Sequence, residues 1–278
     1  ESLGSLNDDS DTVTIVNSEI WAELEFPAGY TIRFKGNYFG SKISTVINLY
    51  NITSDTDHKV SGNIMSLTYG NVFYDKTTIE HEYQYYGLFT NSSGLRHASD
   101  LKLPATKLAP YCYYYMVVGC SKLFDAYFDL PASIVEEGSY RNMFNTCRQL
   151  EVAPRIFAER VGYRGMSYMF QYCHALETPP ALPATILGEE CYDSMFWECL
   201  LTEAPQLPAM KMEKKCYRHM FEKCTSLETA PNLPATKLAE SCYSSMFLGC
   251  TNLKKAPNAS EQYPNGILPA KEVAILCY

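Results

Sequence analysis

A stretch of about 26 residues recurs through most of this chain, and it limits the fold more than any other feature of the sequence. In each copy a Met-Phe pair, or a close equivalent, is followed three residues after the Phe by a Cys. Copies that recur at a step of this length indicate stacked structural units, because one unit alone cannot bury its apolar side. The Met positions, which step by 25 to 27 residues, are Met116, Met143, Met169, Met195, Met220 and Met246.

A second landmark recurs at the same step. It is a leucine or isoleucine that begins a Leu-Pro-Ala in five of its six copies. A degenerate copy around Leu88-Phe89 precedes the first full one, so the two landmarks together place the repeat array over residues 85–278. The second landmark occupies Leu103, Leu130, Ile156, Leu182, Leu207 and Leu233.

The residues ahead of the array have a different pattern. Apolar and polar side chains alternate over residues 20–26 and again from Ile32, which predicts a β-hairpin with its turn at residues 27–29. We expect a β-rich cap domain over residues 12–84, because an open first coil would expose core side chains and a strand edge. Residues 1–11 are polar and acidic, and we expect them to form a disordered linker.

Spacing inside one copy predicts its secondary structure. Cys242, Met246 and Cys250 are spaced i, i+4 and i+8, which places them on one face of a two-turn helix. The segment from Leu253 to Pro257 is too short for a helix and ends in a proline, so it predicts a short strand. Each unit then contains a strand, a connector and a short helix. The predicted fold class is an α/β repeat solenoid whose strands stack about 4.8 Å apart.

The repeat "LPATKLAESCYSSMFLGCTNLKKAP" at residues 233–257 resembles a known family. It is similar to the BspA-like, Treponema-type leucine-rich repeats of bacterial surface proteins, as found in Bacteroides-type gut anaerobes, and the resemblance covers about 190 of the 278 residues. It implies a lipoprotein or secreted protein, extracellular or anchored at the outer membrane, that adheres to a host or microbial protein or glycan. We expect such a module to be a monomer.

Charge and hydropathy argue against two classes of partner. The chain has 31 acidic and 23 basic residues, a net charge of −8, and no local cluster of Lys or Arg, so we expect no nucleic-acid ligand. No run of 18 apolar residues is present, and we expect no integral membrane segment. The N-terminal residues lack the basic-then-apolar pattern of a signal peptide, so we expect that segment to be absent from this chain.

The cysteines are predicted to be structural. There are eleven, an odd number, and no two of them form a Cys-x-x-Cys motif. They fall on the apolar face of the repeat, where a free Cys behaves as a small hydrophobic residue, so we predict buried, reduced thiols. Disulfides between neighbouring coils are an alternative, because equivalent Cα atoms would lie within the distance that a disulfide tolerates. A soft-metal site is a weaker alternative, and we expect no metal and no cofactor.

A Cys-His nucleophile pair is the main enzymatic hypothesis. It rests on His97, His174 and His219, which lie near cysteines in the sequence. Each of these histidines occupies a different place in its copy, which is typical of variable surface positions. We therefore predict a non-enzymatic protein. A glycan-handling or hydrolytic surface enzyme and a purely structural spacer are the alternatives.

Two groups of residues are candidate ligand-binding sites. In each copy a leucine follows the second Cys by two or three residues, and we call it the repeat Leu. Four glutamates within two residues after it are expected to align as an acidic stripe, which suits a cationic or hydroxyl-rich partner. The tyrosine-rich stretch at residues 111–116 exceeds what the repeat requires and predicts an exposed aromatic patch. For the tyrosine that follows the first Cys of each copy we expect core packing with the hydroxyl at the rim, and a sugar-stacking strip is the alternative. The candidates are Glu151, Glu177, Glu203, Glu228, Tyr113, Tyr114 and Tyr115.

Overall fold

A computed structural model of the protein describes residues 51–258. All of them belong to one compact unit, Phe34–Tyr278, and the second compact unit, Glu1–Arg33, lies outside the described residues. The predicted linker and most of the predicted cap domain lie outside them as well. The domain boundary at residue 84 therefore stays a prediction.

The strands are short, and each pairs in parallel with a strand of a neighbouring coil. Asp129 lies opposite Arg155, and Ile134 lies opposite Arg160, so equivalent residues 26 positions apart are neighbours across the ladder. The chain thus advances by one coil per repeat, which confirms the predicted stacking. In chain order the elements are β1 (His58–Asn63), α1 (Ser66–Tyr69), a 3₁₀ turn (Gly70–Val72), β2 (Leu95–Lys102), β3 (Asp129–Leu130), β4 (Ile134–Val135), β5 (Arg155–Ile156), β6 (Arg160–Val161) and β7 (Ile186–Leu187). The pairings are β1 with β2, β3 with β5, and β4 with β6 and β7.

The predicted two-turn helix in each copy is wrong, because the residues around the Met-Phe pair form consecutive tight turns instead. Every second amide donates to the carbonyl three residues before it, as Met116 N does to Tyr113 O at 3.1 Å. The amides in between donate to the next coil, as Val117 N does to Met143 O at 3.1 Å. An α-helix uses its interior amides within itself. In these turns about half of the amides donate their hydrogen bonds to the next coil instead. We call this side of the array the turn face.

The turns require a left-handed backbone at every fourth residue. In one coil Arg164, Tyr168 and Tyr172 have φ angles of 51°, 60° and 62°. A side chain in this region costs about 1 kcal/mol or more. The hydrogen bonds between coils and the packing beneath them must offset that cost. A turn series of period four also keeps residues i, i+4 and i+8 on one face, so the predicted buried face is correct although the helix is not.

The core consists of columns of equivalent side chains, one from each coil. The five methionines of the repeats from Met143 to Met246 are buried in one column, as the period predicts. Beside them the phenylalanine rings stack, with centroids 5.4 Å apart for Phe144 and Phe170 and 5.6 Å apart for Phe170 and Phe196. Offset stacking of this kind adds to the free energy gained by burying the rings.

The second cysteine of each copy is a hydrogen-bond donor between coils. The Cys147 thiol donates to the Val117 carbonyl at 3.1 Å, as a second donor to an oxygen that also accepts from the Cys120 amide. A thiol that donates must keep its proton, and burial raises the pKa of Cys120 to about 12 and that of Cys250 to about 11. The same bond, at 2.9 to 3.2 Å, is made by Cys120, Cys147, Cys173, Cys199, Cys224 and Cys250.

The thiol count is directly measurable. Within residues 51–258 no two cysteines are joined by a disulfide. We expect a titration of the denatured, non-reduced protein to count close to eleven thiols, and the native protein to react far more slowly because its thiols are buried and protonated. A count near one in the denatured protein would mean five disulfides and would contradict the donor role described above.

Candidate functional site

An aromatic patch lies on the exposed side of the segment that follows the repeat Leu. Phe124, Tyr127, Val152 and Phe157 are each 38 to 54% exposed, and they come from two successive coils. Arg155 lies among them, with its guanidinium 5.4 Å from the ring centre of Tyr127 and 6.0 Å from that of Phe157. These five residues are the strand-face patch.

Ion pairs fix the side chains around this patch. Arg155 also donates to Asp129 at 2.6 Å across the β3–β5 pair. At the other side, Asp125 accepts hydrogen bonds from Ser99 and His97. Burial opposes ionisation of Asp125, but the Ser99 and His97 bonds outweigh it and hold the pKa of this carboxyl below its usual value. The patch is therefore ordered before any partner binds.

The predicted acidic stripe is only partly correct. The Glu151 amide donates to Phe124 O at 2.9 Å, and the Thr202 amide donates to Glu177 O at 3.0 Å. Thr202 therefore occupies the glutamate column, and Glu203 lies in the column beside it, because Glu203 is the second residue after its leucine whereas the other three glutamates are the first. Glu151, Glu177 and Glu228 share one exposed column, in which Glu228 pairs with Lys254 at 2.7 Å.

A second row of aromatic side chains crosses the turn face. Tyr114 and Tyr115 stack on each other with ring centres 4.0 Å apart, and Tyr86 meets both rings edge-on. Arg141 of the next coil lies over Tyr114 at 5.4 Å and over Tyr168 at 5.8 Å, so its guanidinium joins two coils of rings. We name as the aromatic track Tyr86, Tyr114, Tyr115, Arg141, Tyr168, Tyr172, Trp197 and His219.

The structure corrects one tyrosine of the predicted patch. Tyr113 is buried in the core between Tyr85 and Tyr140, at centroid distances of 5.7 and 5.9 Å, so it cannot contact a ligand. Its hydroxyl does not reach the rim and has no hydrogen-bond partner, which also corrects the predicted position of that hydroxyl. Tyr114 and Tyr115 lie on the turn face and are half-buried rather than fully exposed.

Below the aromatic track the charges are paired. Arg218 donates to both carboxylate oxygens of the buried Asp193, at 2.5 and 3.2 Å. Glu190 accepts from Arg164 at 2.6 Å and from Lys215 at 3.3 Å. Burial opposes ionisation of Glu190, but these two cations outweigh it and lower the pKa of its carboxyl. The sequence analysis did not predict this network. Its only signal is that the acidic Glu190 and Asp193 are followed 25 residues later, at equivalent positions of the next coil, by the basic Lys215 and Arg218.

The histidines of the enzymatic hypothesis have partners other than cysteines. His97 pairs with Asp125, His219 pairs with Glu222, and His174 lies edge-on to Tyr172 at 6.3 Å. The described cysteines are buried or half-buried, and burial raises their pKa values where a shift is resolved. A protonated, buried thiol is a poor nucleophile. Within residues 51–258 no group of three or more His, Cys, Asp or Glu side chains could hold a metal ion.

Comparison with known proteins gives two structural neighbours. No family model and no curated protein matches the sequence. A leucine-rich repeat protein from Bacteroides ovatus aligns with 89% of this chain at 15% identity and a TM-score of 0.39, and the chain spans only 53% of its length. A leucine-rich cell surface protein from Faecalibacterium prausnitzii aligns with 68% of this chain and 75% of its own, at 11% identity and a TM-score of 0.18.

Proposed function

We propose that this chain, which resembles BspA-like leucine-rich-repeat surface proteins, is a non-enzymatic binding module that engages a protein partner through its strand face. The observation that carries the proposal is the strand-face patch. Exposed aromatic and aliphatic residues gathered on one face commonly mark an interaction site, whereas scattered ones need no explanation. Tyr, Phe and Arg are also the residues most enriched at the centres of protein interfaces.

The surroundings of the patch indicate the chemistry of the partner. Glu151 and Glu177 are exposed beside it, and Asp129 already pairs with Arg155. A partner segment that carries basic and apolar side chains would complement this surface, with the apolar groups on the rings and the cations on the glutamates. Arg155 and its two rings are held in place before binding, which lowers the entropy lost on association.

The cellular setting belongs to the same proposal. We place the module at the cell surface, as a secreted or lipid-anchored protein that adheres to a host or microbial macromolecule, and the sequence resemblance supports this placement. In the described part of the chain, no helix has both the length and the hydropathy needed to cross a bilayer.

A binding array tests the proposal. Purified protein would be screened against host and microbial proteins and glycans, and each hit would be repeated with a Tyr127→Ala/Phe157→Ala variant. We expect at least about tenfold weaker binding in that variant, because truncation of central aromatic residues is costly. Tyr74→Ala is the matched control, since Tyr74 is 81% exposed and lies outside the patch. If no protein binds, the spacer alternative is favoured, and a hit that the double variant still binds would place the site elsewhere.

The glutamate column is tested separately. Replacing Glu151, Glu177 and Glu228 together by Gln is expected to weaken binding of a basic partner and to flatten its dependence on salt, because exposed charges act over about 8 Å at physiological ionic strength. Stability should change little, since exposed charges contribute little to folding. The measurement is affinity at two salt concentrations beside a thermal melt. Unchanged affinity for a verified partner would remove the glutamates from the site.

A further inference from the structure

The aromatic track carries an inference separate from the strand-face proposal. From the geometry of the turn face, we propose that the track binds a neutral, hydroxyl-rich glycan chain. Carbohydrates present apolar C–H faces to aromatic rings and hydroxyl groups to polar side chains at the same time. A surface that offers rings in a row, with the neighbouring acids paired inside the protein, is suited to such a ligand.

The rings and one guanidinium form two contact groups, which meet on the coil that carries both Tyr168 and Tyr172. Tyr172 lies 6.1 Å from Trp197, and Trp197 lies 6.2 Å from His219 in a stacked arrangement. On the other side, Arg141 connects Tyr168 with Tyr114. The row therefore crosses six coils, from the coil of Tyr86 to the coil of His219, which is about 24 Å at ~4.8 Å per coil. An extended chain of several sugar units could contact such a row, whereas a single sugar would cover a fraction of it.

Charge pairing favours an uncharged ligand. The acids next to the track are neutralised within the protein: Asp193 by Arg218, Glu190 by Arg164 and Lys215, and Glu198 by Lys223 at 2.8 Å. A cationic ligand would have to compete with these pairs or leave its own charge without a partner, and an anionic ligand would have to draw Arg141 away from the two rings that it lies over. Binding would then rest on stacking and hydrogen bonds, and it should depend weakly on salt.

The backbone of the turn face makes an extended peptide a poorer candidate. A peptide commonly docks by adding a strand to a sheet edge with unpaired amides. In the central coils the amides around the track donate alternately within the coil and to the next coil, as Tyr168 N does to Asp193 O at 2.9 Å and Gln171 N does to Tyr168 O at 3.3 Å. A ligand there must be recognised by side chains, which suits a sugar better than a peptide backbone.

Two N–H groups beneath the track have no acceptor. They are Arg141 Nε and Trp197 Nε1, and both atoms are buried. A buried donor without a partner costs free energy, so a small ring movement that admits a hydroxyl oxygen would be favourable. A shallow depression of about 420 Å³ is lined by His174, Glu198, Leu200, Lys223 and Thr225, and the Lys223 ammonium lies 5.7 Å from the centre of the Trp197 ring.

Fluorescence of Trp197 gives a direct readout. The chain has two tryptophans, so a Trp21→Phe background leaves Trp197 as the only indole. The full chain would be titrated with linear neutral oligosaccharides of six units, namely cellohexaose, xylohexaose, mannohexaose and maltohexaose, and with a sulfated heparin hexasaccharide and a basic peptide. We expect at least one neutral oligosaccharide to change the Trp197 emission saturably, with similar affinity at low and high salt.

Variants locate the binding site. Tyr114→Ala and Tyr168→Ala remove the rings on both sides of Arg141, and each is expected to weaken the neutral oligosaccharide at least about tenfold. Tyr74→Ala should bind as the parent does, and a circular dichroism melt of each variant checks that it is folded. The proposal is overturned if none of the neutral sugars binds, if the sulfated sugar or the peptide binds better, or if folded Tyr114→Ala and Tyr168→Ala retain full affinity. Because the strand-face variants leave the track intact, failure here does not affect the protein-binding proposal, and the reverse is also true.

Discussion

Met220→Asp is expected to destabilise the protein by about 4 kcal/mol or more. Met220 is fully buried in the methionine column, its carbonyl accepts from Phe196 N of the preceding coil, and the Phe221 amide donates to Met246 O of the next coil. An aspartate there must either ionise in an apolar column or take up a proton, and both lower the stability of the folded state. The measurement is equilibrium unfolding by urea, followed by circular dichroism.

A matched methionine provides the control for this prediction. Met210 lies ten residues earlier and is 53% exposed, so Met210→Asp should shift the unfolding free energy by less than about 1 kcal/mol. If Met220→Asp does not fold at all, Met220→Ala should still fold and lose about 2 to 5 kcal/mol through the cavity that it leaves. Equal unfolding midpoints for Met220→Asp and Met210→Asp would show that the assigned period is wrong.

Arg218→Leu is the second large effect that we expect, a loss of about 3 kcal/mol. Arg218 binds both oxygens of Asp193, whose side chain is only 1% exposed, so removal of the guanidinium leaves a buried carboxylate without its cation. Replacing both partners removes that penalty, because no charge is left unpaired. The double variant Asp193→Leu/Arg218→Leu should therefore be more stable than Arg218→Leu alone.

The exposed pair between Lys254 and Glu228 is the matched comparison. Its nitrogen and oxygen are 2.7 Å apart, but both side chains are more than half exposed. Solvent and salt screen such a pair, so Lys254→Leu should cost only about 0 to 1 kcal/mol. A loss in Lys254→Leu as large as that in Arg218→Leu would show that burial does not decide the strength of these pairs.

The period and the buried face could be predicted from the sequence, and the local backbone could not. Cys242, Met246 and Cys250 share a face in an α-helix, with 3.6 residues per turn, and equally in a turn series of period four. Three positions spread over nine residues do not separate these two periods. What decides between them is whether alternate amides find acceptors on the next coil, and that is a property of the stack rather than of one copy.

The difference between what one copy shows and what the stack decides also explains which candidate residues could be placed from the sequence. Tyr114 and Tyr115 were predicted because they exceed what the repeat needs, and Tyr113 was grouped with them although its column is buried. Glu203 is the second residue after its leucine and the other three glutamates are the first, so the alternation of columns along the segment separates it from them. The strand-face patch was missed, because Tyr127 and Phe157 recur at no equivalent positions in other copies and only the fold brings them together.

The alternating amides of the turn face give the array a direction. In the turn ladder each coil donates to the coil that follows it, as Phe144 N does to Met169 O and Phe170 N does to Met195 O. Between any two of these coils, the earlier coil provides the amide donors and the later coil provides the carbonyl acceptors. Duplication of a repeat within the gene would insert a coil whose backbone donors and acceptors already match those of its neighbours, and it would lengthen both outer surfaces by about 4.8 Å. In this way an evolving lineage can adjust the reach of its binding surfaces while it keeps the backbone hydrogen bonds between coils.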